Sequence, residues 1–220
     1  MIFKVTGFFK IIHHINFISL FYIKIKITMK SLVKLMGLVL IASSLSSCSY
    51  NSLVEKREAV SKQWANVESA YQRRSDLIPN IVNTVKGEAN FEQQTLVEVT
   101  QARASATSIK LDPSKLGPDD IKKFDQAQSQ LTGSLSRLMV SVEKYPDLKT
   151  NEAFIGLMAE LEGTENRINT ERNRFNEAVN DYNATQQKFP ANITAKMFGF
   201  QTKGYFEAAA GSDKAPTVKF

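Results

Sequence analysis

Leu53-Val-Glu-Lys-Arg57-Glu-Ala-Val60-Ser-Lys-Gln-Trp64-Ala-Asn-Val67-Glu-Ser-Ala-Tyr71-Gln-Arg-Arg74-Ser-Asp-Leu-Ile78-Pro-Asn-Ile81-Val-Asn-Thr-Val85 is the stretch that decides the fold. Alternate steps of four and three from Leu53 land on Arg57, Val60, Trp64, Val67, Tyr71, Arg74, Ile78, Ile81 and Val85. Eight of these ten positions are apolar or aromatic, a long seam at the 3.5-residue period of a helix packed against other helices. Pro79 falls inside the seam, where it deletes a backbone donor and predicts a kink. Gly87 offers an end, so the first helix of the domain is expected over 52–86.

Three more helices follow by the same reading. The second, over 90–109, starts at Asn90 with Gln93 in capping-box position and carries a weaker stripe of Phe91, Leu96, Val99, Ala102 and Ala106. Lys110 to Pro118 reads as a loop. Pro118 at a first helical position, beside Asp119 and Asp120 at the positive dipole end, opens the third helix over 118–145. Its seam is Ile121, Phe124, Gln128, Leu131, Leu135, Leu138, Val142 and Tyr145, and Pro146-Asp147 ends it. The fourth, 151–189, opens at Asn151 and runs through Phe154, Leu157, Leu161, Thr164, Ile168, Glu171, Phe175, Ala178, Tyr182, Thr185 and Phe189 to Pro190. Short connections between long amphipathic helices favour antiparallel neighbours. The expected fold is all-α, a long up-down four-helix bundle with an irregular aromatic tail over 190–220. The alternative is a three-helix bundle in which residues 52–109 form one bent helix.

Upstream of the bundle, Met29 to Lys34 forms a positive n-region, Leu35 to Ala42 a short apolar run, and Ser43 to Ser47 a small-residue approach to Cys48. Leu45-Ser-Ser-Cys48 looks like a lipobox, the site at which bacterial lipoproteins are acylated and cut. Cys48 is then the lipidated first residue of a mature chain over 48–220, and 29–47 is its signal peptide. The apolar run is far shorter than the ~20 residues of a spanning helix, although a single-pass N-terminal anchor is the rival. Residues 1–28 hold eight isoleucines and five phenylalanines with no acid, against seven isoleucines from Cys48 onward. They read as an over-extended gene start or, alternatively, as an extra membrane segment.

This division reassigns the charge. Six of the 28 basic residues precede Cys48, which leaves 22 against 22 acidic residues beyond it. The basic stripe that nucleic-acid binding needs is missing from the mature chain. His13 and His14 also lie upstream, so Ser-His-Asp and Cys-His nucleophiles, His/Cys zinc sites and di-iron bundle sites have no ligands there. No phosphate-cradling glycine loop is visible. The chain is read as non-catalytic, with no cofactor and no metal.

Seven stretches, in order, carry a resemblance: Tyr50–Val54, Tyr71–Asn80, Val85–Gly87, Tyr145–Lys149, Leu161–Ile168, Glu171–Asn183 and Lys196–Phe200. Together they resemble the LemA family of bacterial membrane-attached helical proteins and span nearly all of residues 50–220. The resemblance implies a long four-helix bundle, anchored N-terminally with its bulk outside the cytoplasm, and brings no agreed activity or catalytic residue. The lipobox and the first 28 residues depart from single-anchor members.

The functional expectation is a lipid-anchored interaction or scaffold protein of the bacterial envelope, on the periplasmic side or cell surface, with a protein partner and no nucleic acid. Ser49 after the cysteine is compatible with outer-membrane sorting in a cell with two membranes. The alternative is a small-molecule or peptide binding module between the helices, in a groove lined by Arg73, Arg74, Arg172 and Arg174. The ordinary reading of these arginines is that their stems cover apolar surface and their heads pair across helices, as polar layers that fix register. Asn166, Asn169, Asn173, Asn176, Asn180 and Asn183 recur at roughly 3.5 residues, either a solvated stripe or a partner-binding one.

Overall fold

The computed structural model describes the backbone of residues 5–88 and 91–207, with side chains described for residues 34, 36, 48–88 and 91–207. Chain contacts divide it into Met1–Ser49 and Tyr50–Phe220. All regular structure among the described residues is helical: α1 (Val5–Lys86), α2 (Gln93–Ser108), α3 (Pro118–Val142), α4 (Pro146–Lys149), α5 (Glu152–Gln187) and α6 (Ala191–Phe198), with one 3₁₀ turn at Pro113–Lys115. Residue 52 is not a helix boundary: α1 is already helical before it, and 52 marks only where the buried seam begins. Among the described residues, no helix is long and apolar enough to cross a membrane.

The seam of α1 is buried as its period requires. Leu53, Val60, Trp64, Val67, Tyr71, Ile78, Ile81 and Val85 all lie in the core, and Arg74 lies there with them. A turn at Gly87, whose N–H reaches the carbonyls of Asn83 and Thr84 (both 3.3 Å), ends α1. This separates α1 from α2 and rules out one bent helix over 52–109. The expected cap at Asn90 lies outside the described residues, and α2 begins at Gln93. At α5 the expected cap is present: Asn151 Oδ1 accepts the Phe154 N–H at 3.1 Å. At α3, Asp120 Oδ2 accepts the Gly117 N–H at 3.2 Å, and Pro118 occupies the first turn, where a missing donor costs nothing.

Apolar side chains gather in two clusters. The first joins Leu53 to Tyr71 of α1, Ile121 and Phe124 of α3, Ile168 to Tyr182 of α5, Ala191 and Ala195 of α6, and Phe206. The second joins Leu77 to Val85 of α1, Leu96, Val99 and Ala106 of α2, Leu131 to Val142 of α3, Leu148 of α4, and Phe154 and Leu161 of α5. Helices α1, α3 and α5 thus serve both clusters. The remaining place is taken by α2 in the second cluster, and by α6 with the chain around Phe206 in the first. In the first cluster Trp64 is ringed by Phe124 (5.1 Å, edge-on), Phe175 (5.6 Å, edge-on) and Phe206 (6.2 Å, stacked).

Several boundaries differ from expectation. Helix α3 stops at Val142, and Pro146 opens the one-turn α4, which buries Leu148. Phe189 was expected to close the fourth seam, but α5 ends at Gln187 and Phe189 is exposed. The region after Pro190 is not wholly irregular. Ala191, Thr194 and Ala195 bury one face of the two-turn α6, and Gly199, at φ 71°, ends it in the left-handed region. Eight residues are too few for a period to show in sequence. Residues 208–220, including Phe220, lie outside the described residues.

Pro79 has a specific compensation. Without an N–H it cannot bond the carbonyl of Ser75 four residues back, and Ser75 is buried. Arg103 Nε of α2 donates to that carbonyl at 2.8 Å. An acceptor stranded in a buried position costs ~1–3 kcal/mol, so Arg103→Ala should lose about that much in urea unfolding. On a Pro79→Ala background, where the helix supplies its own donor, the loss should fall to less than half. Equal losses on both backgrounds would show that Arg103 does not serve the proline gap.

Candidate functional site

The four arginines marked in the sequence fall into different surroundings. Arg73 is 61% exposed and pairs with Glu160 of α5 at 2.7 Å. Arg174, also exposed, pairs with the buried Glu171 one turn back at 3.1 Å. An exposed pair such as Arg73–Glu160 contributes ~0–1 kcal/mol. Arg74 is only 2% exposed. Its guanidinium donates to Thr132 Oγ1 (3.0 Å), Glu165 Oε1 (3.0 Å) and the Gln128 side-chain and backbone oxygens, and it lies 5.0 Å over the Tyr71 ring. Arg172 pairs with Asp125 (2.8 Å), donates to Tyr71 Oη (3.3 Å) and to the Glu207 carbonyl (3.1 Å), and covers the Phe206 ring at 4.5 Å.

Arg74 therefore heads a polar layer between the two apolar clusters. It stands between Tyr71 and Leu77 on α1. Gln128 stands between Phe124 and Leu131 on α3, and Glu165 between Leu161 and Ile168 on α5. A hollow of about 80 Å³ adjoins the layer, lined by Tyr71, Ser75, Ala106, Phe124, Gln128 and Leu131 among others. At ~30 Å³ per water, that is room for two or three waters rather than a peptide. Burial pushes the Tyr71 phenol above its ordinary value, against the pull of Arg172 and Arg74.

The Asn stripe divides. Asn166, Asn169, Asn173 and Asn180 face solvent. Asn183 accepts the Lys203 N–H (3.0 Å) and donates to the Lys203 carbonyl (2.9 Å). Asn176 does the same to Phe206, both bonds 2.9 Å. Seven residues of helix advance about 10.5 Å, and three of extended chain about 10 Å, so one side-chain spacing matches the other. Gln186 Nε2 reaches the Phe200 carbonyl (2.6 Å) and Tyr182 Oη the Gln201 carbonyl (3.0 Å), which lays residues 200–207 antiparallel along α5. On the other side, Gly204 N–H bonds the Leu116 carbonyl at 3.0 Å. A Cβ at Gly204 would stand 2.7 Å from Pro118 Cα, so only glycine fits. Lys203 is buried with its ammonium on the Ser114 carbonyl; burial pushes its pKa down, and Arg57 adds repulsion.

The sequence pointed to Arg74 and the Asn stripe but not to their partners. Gln128 showed as the one polar member of a seam. Lys203 and Gly204 carried no signal, because their roles depend on a strand-like segment that has no period of its own. Cys48 is a free, exposed thiol. A separate apolar hollow of about 390 Å³ lies where α1 meets α2, lined by Val82, Phe91, Leu96 and Val97 with Lys86 and Glu88 at its edge. None of the four arginines reaches it. Among the described residues no group of His, Cys, Asp and Glu could hold a metal ion.

Truncating Arg74 strands the buried Gln128 side chain, at ~1–3 kcal/mol, and leaves a cavity, at ~2–5 kcal/mol for a large-to-small change, while the partly exposed Glu165 stays hydrated; an apolar residue of similar length refills the cavity. Arg74→Ala should therefore cost about 3 kcal/mol or more in chemical denaturation, and Arg74→Met markedly less. A loss under about 1 kcal/mol for the alanine variant would show that the layer does not hold the helices together.

Comparison with known proteins follows the same residues. The model of the LemA family matches residues 63–220. Magnetosome protein MamQ 2 of Paramagnetospirillum magneticum is 27% identical over 185 residues, covering 74% of this chain and 66% of that protein, just under two thirds of its length. Magnetosome protein MamQ of Magnetospirillum gryphiswaldense is 25% identical with the same coverage. Protein LemA of Metamycoplasma hominis is 24% identical over 159 residues, 72% of this chain and 69% of that one. With the family model spanning more than half its length, the chain belongs to the LemA family.

Proposed function

We propose that this chain is a lipid-anchored, non-catalytic interaction protein of the bacterial envelope, held at a membrane surface by Cys48 and presenting a helical domain to a protein partner. The observation that carries the reading is the junction at Cys48. A lipobox ends in a free, exposed thiol, and Leu53, the first residue of the buried seam, follows five residues later. Two or more acyl chains hold stably, each buried methylene contributing ~0.8 kcal/mol. Family resemblance supports a place on a membrane and outside the cytoplasm. The buried polar groups support interaction rather than reaction, since Arg74 and Lys203 are each spent on bonds that join parts of the fold.

The domain is proposed to be an up-down bundle of α1, α2, α3 and α5. Along α1 and α3 the chain passes from the first cluster to the second, and along α5 it returns. The Lys56–Asp181 pair, 3.7 Å, joins the start of the α1 seam to the end of α5 in the same sense.

Lipidation is tested by metabolic labelling with a radioactive fatty acid and mass spectrometry of the mature N-terminal peptide. That peptide should begin at an acylated Cys48, and Cys48→Ser should lose the label; an uncut native peptide running through Ser47 into Lys56 would overturn the anchor. Lysine crosslinking in intact cells tests the remainder. Within the chain it should join Lys56 to Lys188 and not to Lys149, and between chains it should capture one defined envelope protein. A Lys56–Lys149 link would refute the up-down order, and an absence of any recurrent captured protein would refute the interaction role.

A further inference from the structure

Most of the exposed apolar surface of α6 faces away from the core. Its inner face is made of small residues, Ala191, Thr194 and Ala195, while large ones point outward. Phe189 is 79% exposed, Ile193 54%, Met197 67% and Phe198 58%. Ile193 and Met197 are four residues apart and share one face. Four large apolar side chains this exposed within ten residues, two of them on one helix face, are a concentration of apolar surface of the kind that marks an interaction site.

The patch lies beside the start of the domain. The Phe198 ring stands edge-on to Tyr50 at 4.9 Å, and Tyr50 also meets Phe200 at 5.7 Å. Tyr50 is two residues after Cys48, about 7 Å of chain at most. A lipid on Cys48 therefore holds the patch near the bilayer. Charge agrees with that neighbour: residues 182–206 contain no acidic side chain, Lys188 and Lys196 are exposed beside the patch, and Asp181 is paired with Lys56. Aromatic rings with flanking lysines are the composition that settles at a headgroup layer, most of all an anionic one.

We propose that the outer face of α6 rests on the phospholipid surface, with Ile193 and Met197 at the headgroup–acyl boundary and Lys188 and Lys196 on anionic headgroups. The proposal rests on the reading of Cys48 as the lipid anchor. The acyl chains tether the domain at one point, and α6 supplies a second, so the domain cannot swivel freely about its tether. Its far end, around Leu148 and Phe154, is then held away from the bilayer.

The test uses the full chain, as the cell processes it, in vesicles of phosphatidylcholine and phosphatidylglycerol. Ile193→Trp and, as a repeat on the same face, Met197→Trp report from the patch, and Ile155→Trp reports from an exposed site at the far end. Trp64 is buried and gives a constant background. With dibrominated phosphatidylcholine in the vesicles, the indole introduced at 193 or 197 should lose at least half its emission and be shielded from aqueous iodide. The indole introduced at 155 should show neither effect. Equal behaviour at 193 and 155 would overturn the proposal. Shielding from iodide without quenching by the brominated lipid would also overturn it, because a protein would then cover the patch. Cys48→Ser separates the two readings. Loss of the acyl mass from the N-terminal peptide in that variant, against an acylated Cys48 in the parent, supports the anchor; an unacylated Cys48 in the parent refutes the anchor, while the quenching at 193 still decides the contact of α6.

Discussion

A guanidinium buried between two apolar clusters sets the arrangement of the whole helical domain. Burying the charge of Arg74 is costly unless it is met by polar groups. Its two terminal nitrogens reach Gln128 and Thr132 of α3 and Glu165 of α5, its face lies over Tyr71 of its own α1, and only Nε is left without a partner among the described residues. Apolar seams alone would allow α3 or α5 to slide by a turn and bury nearly the same area. A one-turn slide here would strand the guanidinium, and the cost of that is much larger than a change in van der Waals contact. The clusters on either side are thereby held in step.

The domain also shows how helices of unequal length fill one core. Helix α5, at 36 residues about 54 Å long, passes both clusters, but α2 is 16 residues and reaches only one. The space beside the first cluster is filled by α6 and the extended chain through Phe206. An extended segment brings unpaired N–H and C=O groups into a half-buried place, which is unfavourable without partners. Asn176, Asn183 and Gln186 supply them from side chains, and Leu116 supplies one from the backbone. The arrangement resembles strand addition, with side-chain amides in place of a neighbouring strand.

Legibility in the sequence follows from period length. The seams of α1 and α3 repeat over about six turns or more, and nearly every residue they name is buried. The last part of the α5 seam drifts, so that Val179 and Asn183 are buried where Ala178 and Thr185 were expected. A 3.5-residue step cannot follow a 3.6-residue helix indefinitely. Arg74 and the Asn stripe were visible as polar residues at regular spacing, yet the partners of Arg74 lie more than fifty residues away in the chain, those of Asn176 and Asn183 twenty to thirty, and no local pattern marks them. Cys48 was legible for the opposite reason, since its signal is wholly local. The start of α1 was not, because the seam begins at Leu53 while the helix runs on upstream of it, where, among the described residues, no partner helix imposes a period.

The stacking of Phe206 on Trp64 bears on when the domain can close. Trp64 is among the first core residues to leave the ribosome, and Phe206 is among the last. Until the final turn of chain has arrived, the first cluster lacks one wall and its aromatic rings stay accessible. Contacts so distant in sequence form late and slowly. The second cluster, whose members end at Leu161, can close before then, so the two halves of one core come together at different stages of chain synthesis.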